Sequence, residues 1–105
     1  MTKQKTMEML AVVLTHKPQS RQDLCKRIGC NDRMLRAAVR ELRLRGVPVC
    51  SNAQTKGYWM GSDEDAKHLA LDLRSRGLKL LEASRKVEVT LAKGGQIGWE
   101  NVLHG

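Results

Sequence analysis

The sequence predicts a mainly α-helical fold with one small β-hairpin, followed by a long C-terminal helix. Three observations carry that reading. Apolar residues recur at helical spacing in four segments, which begin at capping residues or stop at Gly or Pro. Only Gly29, Cys30 and Asn31 separate the second of these helices from the third. Between the third and the fourth lie two short β-prone runs joined by a loop.

The first helix covers residues 3–15, with Met7, Leu10, Ala11 and Leu14 on one stripe. Lys17 and Pro18 close it, because proline lacks an amide donor and restricts the residue before it. Ser20 caps the second helix, Arg21 to Ile28, and Asp23 stands where a capping-box acid stands. Leu24, Cys25 and Ile28 share its inner side, and Gly29 supplies a left-handed stop. Asn31 caps the third helix, Asp32 to about Arg45, which ends at Gly46. So tight a turn makes the two helices cross.

Val47 to Ser51 reads as a strand, Asn52 to Gly57 as a loop, and Tyr58-Trp59-Met60 as the returning strand. Pro48 gives the first strand a free edge, and Trp59 is the expected core plug beneath the hairpin. Ser62 caps a long fourth helix, with Asp63, Glu64 and Asp65 in the first turn, where the helix dipole favours acids. Ala66, Ala70, Leu73, Gly77, Leu80, Ser84, Val87 and Leu91 follow a 4-3-4-3 spacing, broadened by Leu69 and Leu81. Residues 87–92 fit a helix or an alternating strand equally. Gly94, Gly95 and Gly98 mark a flexible tail whose Trp99, Val102 and Leu103 are expected to dock back on the domain. The organisation is thus a domain over 1–61, a helix over 62–93 and a tail over 94–105.

At 105 residues the chain has room for one core with extensions. The longest apolar run, Met9 to Leu14, falls far short of the roughly 20 residues a spanning helix needs. Three cysteines, an odd number without a CxxC pair, fit an intracellular, cytoplasmic chain. The net charge of +8 implies an anionic partner. Its distribution is uneven: residues 21–46 hold eight Lys or Arg against three acids, while residues 62–93 hold seven against six. The excess lies on the second and third helices.

The segment Leu24-Cys25-Lys26-Arg27-Ile28-Gly29-Cys30 resembles the positioning helix and turn of the winged helix-turn-helix DNA-binding family. Met34-Leu35-Arg36-Ala37-Ala38-Val39-Arg40-Glu41-Leu42-Arg43 resembles that family's recognition helix. Gly46-Val47-Pro48-Val49 with Lys56-Gly57-Tyr58-Trp59-Met60 is similar to the wing of the biotin-repressor subtype. The likeness covers about residues 5–61. It departs from the family at Asn31-Asp32-Arg33, where many members open the helix with Ser or Thr. The helix after the wing is similar to the dimerisation helices of small phage and bacterial regulators. The resemblance implies a double-stranded DNA-binding transcriptional regulator.

Helical geometry places the charge independently. At 100° per residue, Arg33, Arg36, Ala37 and Arg40 fall at about 0°, 300°, 40° and 340°. Leu35, Ala38, Val39 and Leu42 fall at about 200°, 140°, 240° and 180°, on the opposite side. Burying the apolar face turns the arginines outward as a strip that fits a major groove, with Ala37 leaving room for close approach. Arg33 and Arg36 are the expected base contacts, since arginine can donate twice to guanine. Arg40 and Arg43 are the expected contacts to phosphates or the groove edge. Ser20, Arg21, Asn31 and Lys56, the last at the wing tip, complete the expected DNA-binding set. Leu69, Leu73, Gly77, Leu80, Leu81 and Ser84 form the expected homodimer interface.

No catalytic residues, metal ligands or cofactor are expected. The chain has no glycine-rich phosphate loop and no paired Cys and His. Cys25, Cys30, Cys50, His16, His68 and His104 lack zinc-ligand spacing. Two other readings stay open: a DNA-binding replication or architectural accessory protein, and a winged-helix adaptor that binds protein.

Overall fold

The computed structural model describes residues 1–52, 54, 57–95 and 98–104. Helix α1 (Lys3–Val13) starts where the Thr2 hydroxyl accepts a hydrogen bond from the Lys5 amide, 3.1 Å away. It ends at Leu14, which is extended, well before Pro18. The cause is a demand from elsewhere in the chain. The Met60 amide donates to the Thr15 carbonyl (2.7 Å), and His16 Nδ1 lies 2.8 Å from the Met60 carbonyl oxygen. The side chain of Gln19 then donates to the Val13 carbonyl (2.8 Å), one of the acceptors a helix end leaves open.

Strand β1 (Gln19–Ser20) follows; it was not expected, because two residues are too few to show a period. Helix α2 (Arg21–Ile28) is capped by Ser20, whose Oγ accepts from the Asp23 amide at 3.1 Å. It stops at Gly29, at φ 84°. Asn31 caps helix α3 (Asp32–Leu44), its Oδ1 accepting from the Met34 amide at 2.8 Å. Strands β2 (Val49–Ser51) and β3 (Gly57–Met60) pair antiparallel, with Val49 opposite Met60 and Ser51 opposite Tyr58. The expected hairpin is therefore part of a larger sheet. Among the described residues the antiparallel order is β1-β3-β2, with Gln19 opposite Tyr58 and Ser20 opposite Gly57. Pro48 precedes β2, which is an outer strand, as its position implied.

The core lies within residues 1–70, one of two units into which the chain divides; the other is residues 71–105. Met7, Leu10 and Leu14 of the first segment meet Leu24 and Ile28 of α2, Leu35, Ala38 and Val39 of α3, Val49 of β2 and Tyr58 of β3. Each large aliphatic side chain buried here contributes about 1.5–3 kcal/mol. Thr6 is also buried, and its hydroxyl donates to the Thr2 carbonyl at 2.9 Å. Trp59 is not the core plug. Neighbouring residues of a strand face opposite sides, so burying Tyr58 turns Trp59 outward. The half-buried indole donates to the Asp65 carboxylate (3.4 Å). The Ser62 amide (3.2 Å) first, and then this indole, hold the Asp65 carboxyl below its ordinary pKa.

Helix α4 (Asp63–Ala92) begins at the expected Ser62 cap, and residues 87–92 are helical. None of its residues is buried. Residues 99–104 of the tail form a short helix, α5 (Trp99–His104). Trp99, Val102 and Leu103 are largely exposed. No helix among the described residues is long and apolar enough to cross a membrane.

Gly57 sets the spacing of β1 and β3. A Cβ there would stand 2.3 Å from the Gln19 carbonyl oxygen, a backbone atom that cannot swing aside. Gly57→Ala should therefore lower stability by about 1–3 kcal/mol, read as an earlier midpoint in urea unfolding. An unchanged midpoint would mean that β1 is not held this closely to β3.

Candidate nucleic-acid interface

Packing of α3 decides what faces solvent. Leu35 and Ala38 are fully buried, Val39 is nearly so, and Leu42 packs against the same cluster. Arg33, Arg36 and Arg40 are exposed on the other side, with Ala37 half-buried between them. The order of faces is the one that the helical angles required. Arg33 and Arg40 make no ion pair or hydrogen bond with another described residue. Their guanidinium groups point at solvent with all donors available.

Arg36 is held in place. Its Nε lies 3.1 Å from Asp32 Oδ2, one helical turn away. The other oxygen of Asp32 lies 3.5 Å from Arg21 Nε. One carboxylate thus ties the first turn of α2 to the first turn of α3. Exposed pairs of this kind contribute about 0–1 kcal/mol, so their effect here is orientation more than stability. Asp32 was not among the expected site residues. The i,i+4 spacing of Asp32 and Arg36 was the available signal.

Arg43 does not stand with the other arginines. Its Nε donates to the Val49 carbonyl (2.8 Å), and a terminal nitrogen donates to the Ser51 hydroxyl (3.0 Å). The side chain bridges α3 and β2, so it braces the sheet where a phosphate contact was expected. Its angle of about 280° was on the edge of the strip, where a small rotation decides between groove and sheet. Beneath this arginine group lies Tyr58, whose hydroxyl pKa is raised by burial and lowered by Arg21 and Arg43.

Ser20 and Asn31 spend their side-chain oxygens as helix caps. Arg21 lies half-buried beside Gln22, Cys25, Lys26 and Asp32, which line an open cleft of about 540 Å³. Arg27, one turn from Asp23, hydrogen-bonds the Gln19 side chain and so belongs to the sheet side of α2. Lys56 lies outside the described residues. The structure therefore brings together Arg21, Arg33, Arg36, Ala37 and Arg40, with Ser20 and Asn31 at the helix starts, and sets Arg43 apart.

The residues expected at a dimer interface lie along α4. Leu69 is half-buried within the first unit. In the second, Leu73, Leu80 and Leu81 are exposed at 37%, 72% and 56%, Ser84 is exposed and Gly77 is partly covered. No group of three or more His, Cys, Asp or Glu among the described residues is arranged to hold a metal ion. Comparison with protein-family models, with curated proteins and with solved structures finds no match for this chain.

Arg43→Ala should lower stability by about 1–3 kcal/mol through loss of its charged hydrogen bonds to β2. Arg40→Ala should stay within about 0.5 kcal/mol of the parent. Thermal unfolding of the two variants separates a bracing arginine from a solvent-facing one, and equal melting temperatures would remove the distinction.

Proposed function

We propose that this chain binds double-stranded DNA as a transcriptional regulator of the winged helix-turn-helix kind, acting as a homodimer through α4. The observation that carries the reading is the face of α3 that holds Arg33, Arg36 and Arg40 opposite a buried apolar face. A further support is the element order α1-β1-α2-α3-β2-β3, with β3 in the middle of the sheet. That order sets the helix pair α2 and α3 beside a hairpin, the arrangement to which the sequence likeness points.

Chemistry favours a duplex over a single strand. The chain has three aromatic residues; Tyr58 is buried, and none lies on α2 or α3 among the described basic residues to offer a base-stacking platform there. Arg33 and Arg36, in the first turns of α3, are placed for base edges, and Arg40 for the groove wall. Arg21 and Lys26 flank them on α2 and suit the phosphate backbone. Homodimerisation rests on the exposed leucines of α4, which a second copy would cover. Two copies would then offer two α3 helices to half-sites separated by one helical turn or a multiple of it.

Fluorescence anisotropy on a random duplex should show binding that weakens with salt. About five phosphate contacts give a log–log slope near −4.5. Arg36→Ala should lower affinity for a selected sequence more than for random DNA, whereas a contact to phosphate alone would weaken both equally. Absence of binding at low salt would overturn the reading. For the assembly, light scattering should report about twice the chain mass of 11.8 kDa, and a monomer mass would remove the dimer while leaving DNA binding intact.

A further inference from the structure

The turn between α2 and α3 carries two cysteines in a particular relation. Gly29, at φ 84°, reverses the chain, and the amides of Gly29 and Cys30 both donate to the Cys25 carbonyl, at 2.7 and 3.1 Å. A left-handed helix stop of this form lays the residue after the glycine over the residue near the end of the last turn, usually as an apolar contact. Here both members of that contact are cysteines. Each is partly exposed, and the two thiols are near enough for Cys30 to influence the ionisation of Cys25. Disulfides need Cα atoms about 4.4–6.8 Å apart, and residues joined by a backbone hydrogen bond sit near that range. Cys50 is excluded from the pair: it is buried, and its thiol faces the carbonyls of Pro48 and Asp65.

We propose that Cys25 and Cys30 form a redox-active dithiol that closes to an intrachain disulfide across this turn. The inference does not depend on the DNA-binding reading. With hydrogen peroxide as oxidant, one thiol is oxidised to a sulfenic acid and one water is released. The second thiol attacks that sulfur, the S–S bond forms, and a second water leaves. Two thiols thus lose two protons and two electrons, and one peroxide is reduced to two waters. A dithiol reductant reverses the closure by exchange. Burial, then Cys30 and Asp32, raise the Cys25 pKa against an opposing effect of Arg21, so the closure waits on a supplied oxidant. The Cys25 side chain also lines the cleft with Arg21, Lys26 and Asp32, so an oxidant of small size can reach it.

Trypsin gives a direct readout, because Lys26 and Arg27 lie between the two cysteines. After peroxide treatment of the full chain and alkylation, a non-reducing digest should yield peptides 22–26 and 28–33 joined. Their joint mass should be lower by two hydrogens than the sum of the free peptides, and dithiothreitol should release them. The oxidised chain should migrate as a monomer on a non-reducing denaturing gel. Cys50→Ser should leave the linkage unchanged, while Cys25→Ser or Cys30→Ser should abolish it. Separate alkylated peptides, over-oxidised sulfurs without a link, or a link to Cys50 or between chains would each overturn the proposal. DNA binding of the reduced protein is measured apart from this, so either reading can fail alone.

Discussion

Burial of one face of α3 is the constraint on which the molecule turns. Leu35, Ala38 and Val39 are withdrawn from water against α1, α2 and the sheet, and a rigid helix then has no freedom over its other face. The arginines point outward because the apolar residues point inward. The electrostatic surface is thus a by-product of packing, and any change that rotates α3 moves both together. The caps at Ser20 and Asn31 reinforce this by fixing where each helix begins, hence which residue occupies which angle.

Polar contacts then divide the basic residues into three kinds. Arg43 and Arg27 are structural, tied to the sheet and to Gln19. Arg21 and Arg36 are positioned, sharing the carboxylate of Asp32. Arg33 and Arg40 are open to solvent. A count of charge along the chain treats all six alike. The local excess of positive charge is real, yet only part of it faces outward.

The positions of α1 to α4 were legible because each had a chemical signature: a cap, a stop, or apolar residues at helical spacing, whereas α5 lies in a tail expected to be flexible. The buried face of α3 and the exposed one followed from angles alone. Four further things were not legible, for physical reasons. Strand β1 exists only through pairing with β3, and two residues carry no periodic signal. The choice between Tyr58 and Trp59 as the inward residue depends on strand register, which sequence alternation leaves open over three residues. The bracing role of Arg43 needs the position of the Val49 carbonyl, a tertiary fact. The early end of α1 belongs with these, since Met60 draws Thr15 and His16 out of the helix from across the chain.

The two tryptophans give the chain a built-in optical division. Trp59 belongs to the unit of residues 1–70 and has its indole N–H bonded to Asp65, whereas Trp99 belongs to residues 71–105 and is 62% exposed. Their emission therefore arises from environments that differ in polarity before any unfolding takes place. Melting of the core changes the first indole and leaves the second, already wet, almost as it was. A fluorescence unfolding curve of the whole chain consequently reports the residues around Trp59, with Trp99 as a nearly constant background. Circular dichroism draws on the thirty residues of α4 almost as much as on α1, α2 and α3 together, so it also follows the long helix. The two signals need not coincide, and their separation measures how far the long helix and the core melt as one cooperative unit.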